Sequence, residues 1–205
     1  MIMEVYKNLV RSVLINGAYK ENRTGISTIS KFGEFSKIDL ANGFPLLTTK
    51  RMDGYRWNSL IYEFLWYLSG EDHIRNLTKK TKIWDAWADK NGNLETAYGR
   101  YWRRFPSAQI NSKTNEYEVK EIDQVAEVIK ILKTNPNSRR MVISAWEPGN
   151  ALRSRLPPCH FNYVFNVQGN KLNLHLTQRS GDVALGIPFN VACYSMYNIA
   201  MAQLT

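Results

Sequence analysis

Near the start of the chain the apolar residues Val5, Leu9, Val13 and Leu14 recur with helical spacing, which predicts an opening helix that Gly17 is placed to end. The stretch GISTISKFGEFSKIDL that follows is rich in small and β-branched residues and predicts paired strands. From Tyr55 to Leu68, the residues Trp57, Leu60, Ile61, Phe64, Leu65 and Leu68 keep helical spacing and cover most of the circumference, so this helix is expected to be deeply buried. The segment PSAQINSKTNEYEVK, residues 106–120, is polar and turn-rich and predicts a surface insertion or hairpin, with a helix after it at about 121–133.

Three short β-rich runs come next, MVISAW, FNYVFNVQ and KLNLHLTQ, separated by turn signals at EPGN and GN. They predict neighbouring strands of one sheet. The final segment, PFNVACYSMYNIAMAQLT, opens with Pro188 near a helical first turn and is apolar almost all round, the pattern of a helix packed on several sides. It stops without a glycine cap or a polar tail, which leads us to expect a truncated chain, or a fold completed from elsewhere. No repeat or linker interrupts the pattern, so 1–205 is expected to be a single domain.

Composition narrows the picture. With 205 residues and 44% apolar content the chain is long enough for one sizeable core. No 18-residue uncharged run occurs, and the opening MIMEVYKNLVRSVL carries charges throughout, so neither a membrane span nor a secretory signal is indicated and a cytoplasmic location is expected. Two cysteines are too few for a disulfide framework, and the histidines at 73, 160 and 175 have no metal-ligand spacing, so no metal is expected. The net charge of +9 favours anionic partners, whether nucleic acid, membrane or small phosphate- and carboxylate-bearing substrates, and does not choose among them.

Candidate chemistry starts at LPPCHF, where Cys159 sits between a stiff Pro157-Pro158 and His160. A free cysteine has a pKa of about 8.5, so little of it is thiolate at neutral pH unless a cation or helix end stabilises the anion. Arg179 in QRSGD is the natural supplier, because adjacent strands place residues within ~5 Å of each other across a sheet. An arbitrary cysteine is more often an ordinary buried thiol. What argues against that here is the crowding of Gln178, Arg179, Ser180, Asp182 and Asn190 into a stretch that otherwise reads as strand, turn and buried helix. Alternation puts Leu172, Leu174 and Leu176 on the face that would carry Gln178 and Ser180, so either the strand runs from core into a cavity or a bulge re-aims it.

Glu63 is a second anomaly, a carboxylate flanked by Tyr62, Phe64, Leu65 and Trp66. Such a group must be paired, protonated or hydrating a site, and it suits general acid–base work; pairing with Arg56 is the structural alternative. Arg139-Arg140 before a strand, and Arg23 in the turn NRTG, are guanidinium groups of the kind that grip phosphate, though each alone is more often a solvated charge.

With these residues assembled, the chain resembles the thymidylate synthase family from about residue 20 to its end. The matching motifs, in order, are NRTG, FPLLTTK, YEFLWYLSG, IWDAWAD, YGRYW, NSRRMVISAWEPG, LPPCH, QRSGD and LGIPFN. The resemblance implies an α+β fold in which a mixed β-sheet packs with helices and sheet faces form a homodimer interface. It implies reductive methylation of deoxyuridylate (dUMP) by 5,10-methylenetetrahydrofolate, with Cys159 adding to C6 of the uracil ring and no metal involved.

Under that resemblance Arg179 stabilises the thiolate and binds the nucleotide phosphate together with Arg23 and Ser180, while Arg139 and Arg140 reach in from a second copy. Glu63, Tyr98 and His160 order the water and proton network, and Gln178 joins the nucleotide site. Asn190 selects uracil, because its amide can donate to O4 and accept from N3–H, whereas cytosine presents the reversed pattern. Lys50, Ile83, Trp84, Leu156, Asp182, Gly186 and Phe189 fall to the folate, and Asp182 also joins the nucleotide site. The family's later elements, including a His-x-Tyr pair for the sugar and a tail that closes over folate, have no counterpart before Thr205. Two alternatives remain: a hydroxymethylase on the same scaffold, and an inactive nucleotide- or RNA-binding homologue suggested by the charge.

Overall fold

The structure, a computed structural model, describes residues 2–22, 25–49 and 51–205. The chain divides into two compact units, Met1–Asp53 with Asp182–Ser195, and Gly54–Gly181 with Met196–Thr205. Helices and strand pairs are both present, which meets the α+β expectation. Every strand pair among the described residues is antiparallel, where a mixed sheet was expected.

In the first unit, helix α1 (Ile2–Asn16) forms where the apolar spacing predicts it, with Glu4 in its first turn to complement the helix dipole. Leu14 nevertheless points to solvent, so the inward stripe is narrower than the spacing suggests. The helix ends at Gly17, whose N–H bonds Val13 O at 2.9 Å. A Cβ there would lie 2.3 Å from the Val13 oxygen and 2.6 Å from Ile29 Cγ2, so only glycine lets the chain turn back this tightly. Strand β1 (Ala18–Lys20) then pairs with β2 (Thr28–Ser30). The stretch 25–40 was expected to pair with itself, but it supplies only β2, and it lacks the sustained alternation that would carry a longer strand.

The second unit holds helix α2 (Tyr55–Ser69), helix α3 (Tyr98–Arg103), the hairpin β3 (Phe105–Ile110) and β4 (Tyr117–Ile122), and helix α4 (Gln124–Thr134). Helix α2 is less enclosed than its composition suggests, with Tyr55 and Leu65 largely exposed and Leu60, Phe64, Trp66 and Tyr67 buried. The carbonyls at its end are satisfied from α3 and the residue after it: Arg103 Nη1 donates to Leu68 O at 2.7 Å, and Arg104 Nη2 to the O of the capping Gly70 at 2.9 Å. Helix α4 is capped by the Asp123 carboxylate, which accepts from Ala126 N–H.

Strands β5 (Val142–Ser144), β6 (His160–Gln168) and β7 (Lys171–Gln178) form one sheet in that order, as their sequence pattern predicts. The EPGN signal is realised as a four-residue helix, α5 (Pro148–Ala151), capped by Glu147. Helix α6 (Gly186–Leu204) is the long apolar helix expected at the end of the sequence, and it starts two residues before Pro188. Its later part belongs to the second unit, where Tyr197 stacks on Trp102 with centroids 5.2 Å apart. Trp102 also meets Tyr67 and Tyr163 edge-on or tilted, all three deeply buried. Truncating a ring at such a centre costs about 3–5 kcal/mol.

Candidate active site

Five stretches of the second unit, carrying Glu63, Trp84, Tyr98, Cys159 with His160, and Gln178 with Arg179, deliver the candidate residues to one place. The turn Leu156–Cys159 is tied down by Thr96, whose hydroxyl bonds Ser154 Oγ at 2.8 Å and donates to Leu156 O at 2.9 Å. Cys159 follows the buried Pro158 and is itself partly exposed. Its N–H donates to the Tyr98 hydroxyl at 2.8 Å, which pins the turn to α3. The hydroxyl also accepts from the backbone of His160.

The β-ladder slips one residue between His160 and Asn162, a bulge that leaves Phe161 unpaired. The irregularity considered for β7 therefore lies on β6. It turns His160 inward opposite Gln178, while β7 keeps its alternation and carries Gln178 on the leucine face. The Gln178 Nε2 is enclosed and has no hydrogen-bond partner among the described residues.

Arg179 lies at the end of β7 and grips the Cys159 turn at four points. Its backbone N–H donates to Cys159 O at 2.9 Å, Nε to Pro158 O at 2.9 Å, and Nη2 to Pro157 O at 2.7 Å. The same Nη2 lies 3.6 Å from Cys159 Sγ. The expected cation thus stands beside the sulfur. The guanidinium also lies 5.8 Å from the Trp146 ring centre.

Behind the cysteine is a buried aromatic and acidic cluster. His160 stacks on Tyr98, and burial lowers its pKa to about 3, so the imidazole is neutral at pH 7. Burial, then the nearby Cys159 charge, raises the Tyr98 phenol, which stays protonated. Glu63 as a residue is partly exposed, but protein surrounds its carboxyl and pushes its pKa above the usual carboxylate range. Trp84 Nε1 donates to Glu63 Oε1 at 2.6 Å, and the Tyr67 hydroxyl donates as well. These donors, rather than Arg56, answer the burial of Glu63.

A sulfur beside a guanidinium, with a protonated phenol close by and a carboxyl of raised pKa on the far side of that phenol's cluster, can perform nucleophilic addition coupled to proton transfer. Among the described residues no group of three or more His, Cys, Asp and Glu is arranged to hold a metal ion.

The thymidylate synthase family model matches residues 4–205. Over 205 residues the chain is 54% identical to a thymidylate synthase of Haloferax volcanii, covering 96% of this chain and 60% of that relative. The chain belongs to the thymidylate synthase family. It spans about 60% of the length of the curated relative it matches.

Of the residues that the family resemblance marks, the second unit brings together Cys159, His160, Tyr98, Glu63, Trp84, Gln178 and Arg179. Ile83 adjoins Trp84 and is partly exposed, and Leu156 is held through its carbonyl. Ser180 is exposed just past Arg179. Arg139 and Arg140 are exposed ahead of β5, with no hydrogen bond to the cysteine cluster. Asp182, Gly186, Phe189 and Asn190 belong to the first unit. There the Asp182 carboxylate caps the turn into α6, accepting from Ala184 N–H at 2.9 Å and Leu185 N–H at 2.7 Å. Arg23 and Lys50 lie outside the described residues. Tyr67 was not singled out from the sequence; its place four residues after Glu63 on one helix was the available signal.

Proposed function

We propose that this chain carries the nucleophile and proton-transfer machinery of an enzyme that methylates dUMP at C5 with 5,10-methylenetetrahydrofolate, giving thymidylate and dihydrofolate. The observation that carries this reading is the Arg179 guanidinium 3.6 Å from the Cys159 sulfur, in a turn fixed by the Tyr98 hydroxyl. The Cys159 thiolate adds to C6: the S–C6 bond forms as the C5–C6 π bond breaks, and that electron pair moves onto C5 and O4. The folate supplies the one-carbon unit and the hydride. Glu63, Tyr98 and the neutral His160 hold the water and protons that the C5 and O4 steps exchange.

Arg179, Arg23 and Ser180 take the phosphate. The enclosed Gln178 amide, which has a donor to spare, faces the nucleotide, and Asn190 reads the uracil edge. Ile83, Trp84 and Leu156 offer the folate an apolar wall, joined by Lys50, Asp182, Gly186 and Phe189.

The enzyme works as a homodimer in the cytoplasm, and no nucleic acid is required. Two features support the dimer: exposed Arg139 and Arg140, which a second copy's phosphate site can use, and the solvent-facing Ile29, Phe32 and Phe35 of the first unit. No helix among the described residues is long and apolar enough to cross a membrane.

The test is denaturing mass spectrometry after incubation with 5-fluorodeoxyuridylate and methylenetetrahydrofolate, since fluorine does not leave C5 as a proton leaves. A ternary adduct mapped to Cys159 is the expected result. Salt-steep RNA binding without any adduct would instead support the inactive homologue. With dUMP itself, a hydroxymethyl rather than a methyl product would indicate the hydroxymethylase.

A further inference from the structure

Glu63 is buried deeply enough that its orientation and its proton need explaining, and Trp84 supplies only one donor, to Oε1. The other comes from Tyr67, one turn further along α2. Little about Tyr67 is free to vary. Its backbone is pressed by α3, where a Cβ at Gly99 would fall 2.3 Å from Tyr67 O. Its ring is boxed by Tyr98 at 5.2 Å, Trp102 at 5.4 Å, His160 at 6.2 Å and Trp84 at 6.4 Å. With backbone and ring fixed, the hydroxyl is aimed at the carboxyl.

We propose that Tyr67 is a positioning residue for the reaction: its hydroxyl, with the Trp84 indole, holds the Glu63 carboxyl in one orientation and sets the pH at which it exchanges a proton. A phenylalanine would fill the same aromatic box equally well, so packing alone does not account for the oxygen. The hydroxyl opposes burial, because a donor to the ionised carboxylate favours the charged form. The other titratable groups facing this cluster are Tyr98 on α3 and His160 on β6, with Cys159 just beyond Tyr98. The two rings stay neutral near pH 7, so the hydrogen-bond donors are the main local adjustment on Glu63. The role in catalysis rests on the function proposed above, whereas the effect on the carboxyl does not.

The experiment compares wild type with Tyr67→Phe in carbon-13 NMR of glutamate-labelled protein, with the Glu63 signal identified by its loss in Glu63→Gln. The expected result is a Glu63 midpoint at higher pH in Tyr67→Phe. In turnover, kcat at pH 7 falls about tenfold with KM for dUMP little changed, and Tyr67→Phe has no further effect in the Glu63→Gln background. An unchanged midpoint, or an unchanged kcat profile in an enzyme that forms the Cys159 adduct, overturns the proposal and leaves the functional reading standing. Absence of the adduct in wild type defeats the functional reading, and the catalytic part of this proposal with it, while the midpoint still reports whether Tyr67 tunes the carboxyl. Should Tyr67→Phe not fold, 3-fluorotyrosine at position 67 serves: its stronger donor moves the midpoint down, and no movement overturns the proposal.

Discussion

The phenol of Tyr98 lies flat on the imidazole of His160, with centroids 3.8 Å apart and planes 8° from parallel. The stack sets the ring, and the ring sets the hydroxyl that accepts from Cys159 N–H at 2.8 Å. Tyr98→Phe should therefore keep the stack and orphan the backbone donors of Cys159 and His160 at the nucleophile. Leaving a buried donor unpaired costs about 1–3 kcal/mol, or roughly 2–10 °C in melting temperature for a chain of this size. The loosened cysteine should also form its fluorodeoxyuridylate adduct at least about tenfold more slowly. Calorimetry and timed mass spectrometry measure the two effects. Wild-type values in both would mean that the hydroxyl does not fix the turn.

Gly99 governs the approach of α3 to α2. A Cβ there would sit 2.3 Å from Tyr67 O and 2.8 Å from Tyr67 Cα, and both are backbone atoms that cannot swing aside. Gly99→Ala gains a few tenths to about 1 kcal/mol in helix propensity, but it must push the helices apart and shift Tyr98 with them. The expected net loss is about 2–4 kcal/mol, with a changed near-ultraviolet dichroism from the aromatic cluster. A melting temperature equal to wild type would show that the two helices separate at little cost.

The long helices were legible because their apolar spacing is local information, and β5, β6 and β7 because short β-rich runs sit between turn signals. The stretch 25–40 was not, since strand length there depends on what β1 offers as a mate. The bulge at Phe161 depends on register between β6 and β7, which neither strand states alone. In the candidate site, Cys159 and Arg179 could be matched from chemistry, because a thiolate needs a cation. Tyr67 was missed because its hydroxyl is aimed by rings drawn from α3, β6 and the Trp84 segment. Asp182 shows the converse: a polar residue in a conspicuous cluster also has the local task of capping α6.

His160 links the site to acid stability. Its pKa falls from 6.5 to about 3 on folding because burial disfavours the imidazolium. Below pH 6.5 the unfolded chain binds a proton that the folded chain refuses, so this contribution to stability is complete above pH 6.5 and is lost as pH falls toward 3. A shift of this size is worth roughly 4–5 kcal/mol at its limit. Glu63 works in the opposite sense, since its raised pKa lets the folded state hold a proton longer and favours folding toward acid pH. In His160→Gln the melting temperature should decline less between pH 7 and pH 4 than in wild type. Parallel declines would locate the acid sensitivity in other groups.

Arg179 joins two tasks that a substitution can separate. Its fork donates to Pro157 O and Pro158 O, which shapes the turn, and brings Nη2 within 3.6 Å of Cys159 Sγ. Arg179→Lys keeps a positive charge but offers one ammonium in place of a planar fork, so it cannot hold both carbonyls and stay at the sulfur. Arg179→Gln removes the charge. Alkylation by iodoacetamide reports on Cys159, because Cys193 is buried. If charge beside the sulfur dominates, the rate at pH 7 should fall roughly fivefold or more in Arg179→Gln and less in Arg179→Lys, with raised salt narrowing the gap between wild type and Arg179→Gln. If shaping the turn dominates, lysine and glutamine should be equally slow at every salt concentration. The geometry favours the first outcome: Cys159 N–H stays anchored to Tyr98, and the Arg179 backbone N–H still bonds Cys159 O at 2.9 Å whatever side chain follows.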